Sequence, residues 1–293
     1  MRRHFLLLVA LLCAPGFGFA ATDVEVFGGL GFFWPALDTT YDASYVPSKV
    51  SGINQLFVTP DPRSEARQLL SLKGKAGPGL GLGVNVYPHR VLGFQLLLDR
   101  ASLDIEGENG PHQVHLVWDS IAFPSPDPVV REASLSFVPS DTEGRLDELA
   151  LSFNVSARFG HLGTVSGSVS SGLTYFRFDA EAERLGAFAG YLGGHAVLFG
   201  DLYEMSYETA PTDTLGFNVG GSVDVALGSR AAIFVDGRFL WAPRTEAEVK
   251  LTEIVSETIP SVTVSQIDSY LDPRPMEIDP SFFRLVFGLK LRF

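Results

Sequence analysis

One cysteine, Cys13, occurs in the 293 residues. A lone thiol closes no intramolecular disulfide, which excludes the stapled scaffolds of small secreted domains. Leu12 stands just before it, where a lipoprotein signal calls for a small residue, so lipidation is not expected. Basic residues are scarce: 22 Lys and Arg face 34 Asp and Glu, for a net charge of −12. Nucleic acid is therefore excluded as a partner, because phosphate binding needs clustered cations. After residue 21 no apolar run is long enough for a membrane helix. What remains abundant is Phe (23) and Gly (30) within a 46% apolar composition, a mixture that suits a sheet protein with many turns.

The one apolar run lies at the start. Arg2 and Arg3 supply a positive region, Phe5 to Leu12 an apolar core, and Pro15, Gly16 and Gly18 break it before Ala20 and Ala21. That is the layout of a cleaved secretory signal. Residues 1–20 are read as the signal peptide and 21–293 as one exported barrel domain. Without Arg2 and Arg3 the domain carries about −14 and no cysteine.

Alternation with period two dominates the rest. Val24, Val26, Leu30 and Phe32 share one face of a first strand, opposite Asp23 and Glu25. Seven more segments repeat the pattern at 80–86, 92–98, 149–159, 165–175, 215–225, 233–241 and 283–293. Their spacing is more informative than their number. Tight turns at 88–90, 160–163 and 228–230 alternate with long connections at about 34–75, 106–146, 179–211 and 243–280. Compact soluble domains seldom carry such connections, whereas outer-membrane barrels combine short periplasmic turns with long external loops. Strands of about ten residues fit a tilted bilayer span. The expectation is an all-β chain forming a closed antiparallel transmembrane β-barrel of eight strands. Two further alternating segments, Val114–Leu116–Trp118 and Ala133–Leu135–Phe137, would make ten if Pro124 to Pro128 were a periplasmic turn. Asp119 and Arg131 sit awkwardly in a span, which favours eight, with these segments belonging to an external hairpin.

Phe32, Trp34, Tyr175, Phe217, Phe239, Trp241 and Phe283 fall at the outer strand ends, and Phe159 and Phe293 at the opposite ends. Two aromatic girdles at the lipid–water boundaries are expected of a membrane barrel. The ending Phe-Gly-Leu-Lys-Leu-Arg-Phe, with Gly288, Leu291 and Phe293, resembles the C-terminal assembly signal of outer-membrane barrels. It departs from that signal two residues before the glycine, where Val286 replaces the usual polar residue. The whole exported chain resembles small bacterial outer-membrane barrels of the OmpA transmembrane-domain and OmpW kind. The resemblance implies insertion by the barrel assembly machinery and contact with outer-membrane lipid and lipopolysaccharide; it transfers no activity.

Candidate chemistry is sparse. Of the six histidines, His4 leaves with the signal, and His89 and His161 lie on turns far from the external loops. His112 and His115 are three apart, but no carboxylate or thiol set completes a metal site. His195 has Asp201 and Glu204 nearby, without the opposed His and Ser that a lipid-A-modifying barrel enzyme would use. No calcium-loop motif occurs among the loop acids Asp61, Glu106, Asp127, Asp141, Glu246 and Asp272. No catalytic residue, metal or cofactor is therefore assigned. The apolar, glycine-rich stretch Leu185 to Phe199 is expected to fold over the barrel mouth or meet a partner, with Phe188, Tyr191, Leu192, Leu198 and Phe199 as contact candidates.

The alternation points Asp23, Glu25, Asp99, Arg158, Asp224, Asp236, Arg238, Arg284, Lys290 and Arg292 inward. An eight-stranded barrel is about wide enough to be filled by side chains, so these charges are expected to pair into an ionic plug. Antiparallel closure with Phe293 opposite Thr22 would set Lys290 against Glu25 and Arg292 against Asp23. The expected role is a non-enzymatic outer-membrane barrel anchoring external loops; the alternative is a narrow pore or entry route for small or apolar solutes. Deleting Phe293 is expected to lower outer-membrane levels, read by membrane fractionation, while signal cleavage continues. Unchanged levels would discard the assembly-signal reading.

Overall fold

The computed structural model describes residues 23–42, 44, 65–121, 128–137, 141–162, 164–192, 195–256 and 274–293. The signal segment, residues 122–127 (with most of the possible turn at Pro124 to Pro128) and the acids Asp61, Asp127 and Asp272 lie outside the described residues. Among the described residues eight strands close the barrel: β1 (Asp23–Pro35), β2 (Gly77–Tyr87), β3 (Leu92–Asn109), β4 (Thr142–Leu162), β5 (Val165–Leu192), β6 (Thr212–Ala226), β7 (Ala231–Trp241) and β8 (Phe282–Arg292). Each pairs antiparallel with its chain neighbour, and β8 returns to β1. Period-two alternation dictates this, because one face of every strand must meet hydrocarbon and the other a narrow interior.

The outward face is apolar along the turn-proximal part of the wall. Leu30, Leu173 and Leu215 are 70–72% exposed, and Val155, Leu289 and Phe153 more than half. No soluble core would leave such residues uncovered on every strand. At the end away from the short turns the rings gather: Trp34 lies 5.5 Å from Phe283, and Phe217 5.1 Å from Trp241, between centroids. On β3 to β6 the belt stops at one cross-strand row, Arg100–Leu149–Arg177–Asp213. Charged groups directly above an apolar row mark the lipid–water boundary.

Among the described residues, the expected long loops are largely strand. β5 has 28 residues and β4 has 21, where a tilted span needs about ten. Their outer halves continue the wall beyond the belt. The other five strands break just past the aromatic ring and then resume, as Asp38–Asp42, Leu69–Gly74, His195–Thr209, Thr245–Ala247 with Val249–Ser256, and Met276–Ile278. Pro35, Pro211, Pro243 and Pro280 lie at or beside four of these breaks. A residue without an N–H interrupts a ladder where the wall leaves the membrane. The stretch Leu185 to Phe199 belongs to a hairpin, with Phe188 opposite Asp201, Gly190 opposite Phe199 and Leu192 opposite His195. Among the described residues this stretch is thus extended ladder rather than irregular loop.

The segments that could have raised the strand count to ten pair with each other instead. His112–Ile121 and Pro128–Phe137 form a small separate sheet with Glu65–Arg67. They are not part of the barrel wall.

Closure differs from the expected register. Glu25 lies opposite Arg292 and Phe27 opposite Lys290, two residues away from the pairing anticipated above. A two-residue slip keeps every side chain on its own face, so alternation could not distinguish the two registers. Glycines occupy the inner face of this seam. A Cβ built at Gly29 would lie 2.1 Å from the Phe287 carbonyl oxygen, and at Gly288 2.1 Å from that of Gly28. The first and last strands therefore approach too closely for any side chain. Gly288→Val is expected to prevent closure, seen as loss of the faster-migrating unboiled band in SDS electrophoresis. Identical unboiled and boiled migration of the wild type would discard the closed barrel itself.

Candidate functional site: the barrel interior

The interior is layered, and the lowest layer, at the short turns, is ionic. Glu25 on β1 is its centre: it accepts from Arg158 Nη2 at 2.8 Å, Arg292 Nε at 3.0 Å and Asn85 Nδ2 at 2.9 Å, and Lys290 Nζ lies 3.7 Å away. Lys290 donates to both oxygens of Asp224, at 2.8 and 2.7 Å. It also sits 5.5 and 5.7 Å from the ring centres of Phe27 and Phe234, which meet edge to face. Arg158 reaches Asp23 at 3.2 Å and lies 3.4 Å over the ring of Tyr87. Three acids thus face three bases.

Register explains who pairs with whom. Lys290 stands opposite Phe27, so its main carboxylate is Asp224, brought near by the interior rather than by a neighbouring strand. Asp23, expected opposite Arg292, instead stays mostly exposed at the barrel end and meets Arg158. The Lys290–Glu25 contact exists, at the longer 3.7 Å.

A second layer lies at mid-barrel and is also balanced. Arg284 Nε is 3.0 Å from Asp99 and its Nη2 2.7 Å from Asp236, as ion pairs without hydrogen-bond alignment. Arg238 donates to Gln95 Oε1 at 3.0 Å, Ser170 Oγ at 2.7 Å and Asn218 Oδ1, with Asp236 at 3.4 Å. Asn218 passes the network to Asn154 at 2.7 Å and Thr174 at 2.8 Å, and Asn154 donates to Gln95 at 3.1 Å. Arg238 and Arg284 are each 1% exposed. A guanidinium there is tolerable only because fixed acceptors replace its water. Gln95, Asn154, Ser170, Thr174 and Asn218 were visible as the polar side of the alternation. Their convergence on Arg238 depends on which strands face each other.

Above these layers the interior turns apolar. Phe33 meets Phe282 at 5.5 Å, Phe176 meets Phe282 at 6.2 Å, and Phe178, Leu146, Ala150, Leu240 and Ile278 belong to the same buried cluster. One acid lies in it, Glu148. The alternation did not mark Glu148, which falls between the expected loop at 106–146 and the expected strand at 149–159.

On the outer part, a cleft of about 710 Å³ is lined by Asp42, Ser44, Arg67, Gln68, Gln113 and Arg274. Arg274 pairs with Asp42, and Arg67 with Glu65 at 2.9 Å. His115 Nδ1 is bonded to Ser134 Oγ at 3.0 Å. Among the described residues no three His, Cys, Asp or Glu side chains converge as metal ligands. The side chains of His112, His161, Phe188, Tyr191, Leu192, His195, Leu198 and Phe199 lie outside the described residues. Gly288 fits the closing seam, and Leu291 and Phe293 project outward, 49% and 76% exposed.

No protein-family model matches the chain, and no curated protein matches it in sequence. Its fold is similar to that of the outer membrane protein OprG from Pseudomonas aeruginosa, at 13% identity and a TM-score of 0.43, over 94% of this chain and 98% of that one. It is also similar to the outer membrane protease OmpT from Escherichia coli (8%, TM-score 0.41, 96% and 99%). Ail, the attachment invasion locus protein of Yersinia pestis, gives 8% and a TM-score of 0.31, over 92% and 98%. The membrane assignment stands on the closed wall and its apolar belt.

Removing Arg284 leaves Asp99 buried without its ion pair and Asp236 with Arg238 alone, at 3.4 Å. Arg284→Met is expected to destabilise the barrel by about 3–5 kcal/mol, the usual cost of breaking a buried pair from one side. Adding Asp99→Asn and Asp236→Asn should recover much of it. Urea unfolding in detergent micelles, followed by Trp fluorescence, checks both expectations; a triple variant as unstable as the single one would deny the coupling.

Proposed function

We propose that this protein is an integral outer-membrane barrel of a Gram-negative-type bacterium whose sealed interior anchors external β-hairpins for contact with the envelope or with outside partners. The observation that carries this reading is the interior itself. Two charge-balanced layers and an aromatic cluster fill the barrel from the short turns to the membrane rim. Each strand contributes an inward group to those layers, so the interior is a strut that holds the wall. The outer halves of β3, β4 and β5 carry that rigidity beyond the lipid, where the hairpins stand as extensions of the barrel. Lipopolysaccharide is the natural neighbour of the Arg100–Arg177 row, and the barrel assembly machinery would insert the chain through its C-terminal strand. The reading is non-enzymatic: in the two ionic layers the carboxylates and cations neutralise each other and leave no group free there for acid–base or nucleophilic work.

Single-channel recording in a planar lipid bilayer tests the seal. The purified barrel is expected to give no resolved conductance steps. Reproducible steps would replace this reading with a narrow pore or entry route for small solutes. A change in lipid A mass spectra on deleting the gene would replace it with an enzyme.

A further inference from the structure

Glu148 is 4% exposed, and among the described residues neither of its carboxyl oxygens has a hydrogen-bond partner. It points inward from β4, between Ala101 of β3 and Phe178 of β5 in the ladder, with Leu146 and Ala150 beside it on its own strand. It stands one residue beyond the Arg100–Leu149–Arg177 row that ends the lipid belt. All ten inward charges below it are neutralised in pairs, so an unpaired acid among aromatic rings requires another account.

Among the described residues, the groups around it offer no cation. β5 presents Phe176, Phe178 and Ala180, and β3 presents Ala101 and Leu103. The next inward charge on β3, Asp99, is held by Arg284. Tyr41 and Tyr207 lie in the same buried cluster. The charge that acts on Glu148 is negative: Asp279, in the break before β8. Asp279 accepts from the Ser281 N–H at 3.0 Å, and Arg244 is 3.9 Å from it. Ser281 in turn holds the other strand end, accepting from Ala242 N–H at 3.1 Å and donating to its carbonyl at 3.2 Å. A charged Glu148 would be desolvated and repelled by the corner that joins β7 to β8.

We propose that the outer end of the barrel is a proton-latched plug: Glu148 keeps 142–150 packed against 276–282 only while its carboxyl carries a proton. Burial first, and Asp279 second, push this carboxyl well above the ordinary range. In an opened state the group is hydrated and ionises near pH 4.3. Closed, it binds a proton that the open form has released, so the closed form loses stability as pH rises from the ordinary glutamate value to the raised one. Below that window the latch is fully set, and above it the loss is complete. The device would make the external hairpins respond to the pH outside the cell, which goes beyond the anchoring role.

Hydrogen exchange on the full protein in lipid nanodiscs reads this directly, after correction for the intrinsic pH dependence of exchange. Within the window the opening equilibrium of amides in 142–150 and 276–282 is expected to rise about tenfold per pH unit. Mid-barrel amides should stay flat. Glu148→Gln should remove the slope, and Glu148→Leu should do the same if the Gln variant folds poorly. Asp279→Asn, which keeps an acceptor for the Ser281 N–H, should end the rise at a lower pH. A wild-type slope equal to that of Glu148→Gln, or no slope in the wild type, overturns the latch.

Discussion

The buried polar groups of this barrel are constrained by the narrow space they share. An eight-stranded wall encloses a space that side chains fill, so a charge placed there must find its counter-charge among the other strands. Glu25 meets that constraint by collecting two guanidinium groups, an ammonium group and an amide. Arg238 meets it with four acceptors from four different residues. The pairing links strands that are far apart in sequence, Asp99 with Arg284 and Glu25 with Arg292, and so resists opening of the wall at any single seam. Removing one member is costly because its partner stays behind in the same dry space.

The wall has a second constraint, at the rim. Inside the lipid every backbone group must be paired within the sheet, and the eight strands are continuous there. Just outside, water can satisfy a free carbonyl, and five strands break, four with a proline at or beside the gap. β3, β4 and β5 pass through unbroken and carry the hairpins outward. The outer structure is thus stiff on one side and jointed on the other. Glu148 lies on the stiff side, and Asp279, at the joint before β8, is the charge that acts on it.

Exposure is unusual in both regions. Leu173 and Leu215 on the outside would be liabilities in a soluble protein, and here they are what the lipid requires. Inside, Phe27 and Phe234 flank Lys290 and exclude solvent from its pair with Asp224. The apolar and ionic parts of the interior therefore act together: rings keep water out, and the dry space strengthens the charges.

The sequence by itself determined the barrel. Period-two alternation, tight turns alternating with long connections, and aromatics at strand ends each follow from one face meeting lipid and the other a filled interior. It also determined which ten charges point inward, because parity along a strand survives any register. It did not determine the register, since a slip of two residues leaves parity unchanged; Lys290 therefore pairs with Asp224, and Asp23 with Arg158. Nor did it show that the described parts of the external connections are mostly strand, because beyond the membrane no hydrocarbon enforces an apolar outer face and the alternation weakens. Glu148 was illegible for the same reason. Its burial comes from Ala101 of β3 and Phe178 of β5 on either side and from the cluster to which Phe282 of the distant β8 belongs, and only tertiary structure assembles these groups around a single acid.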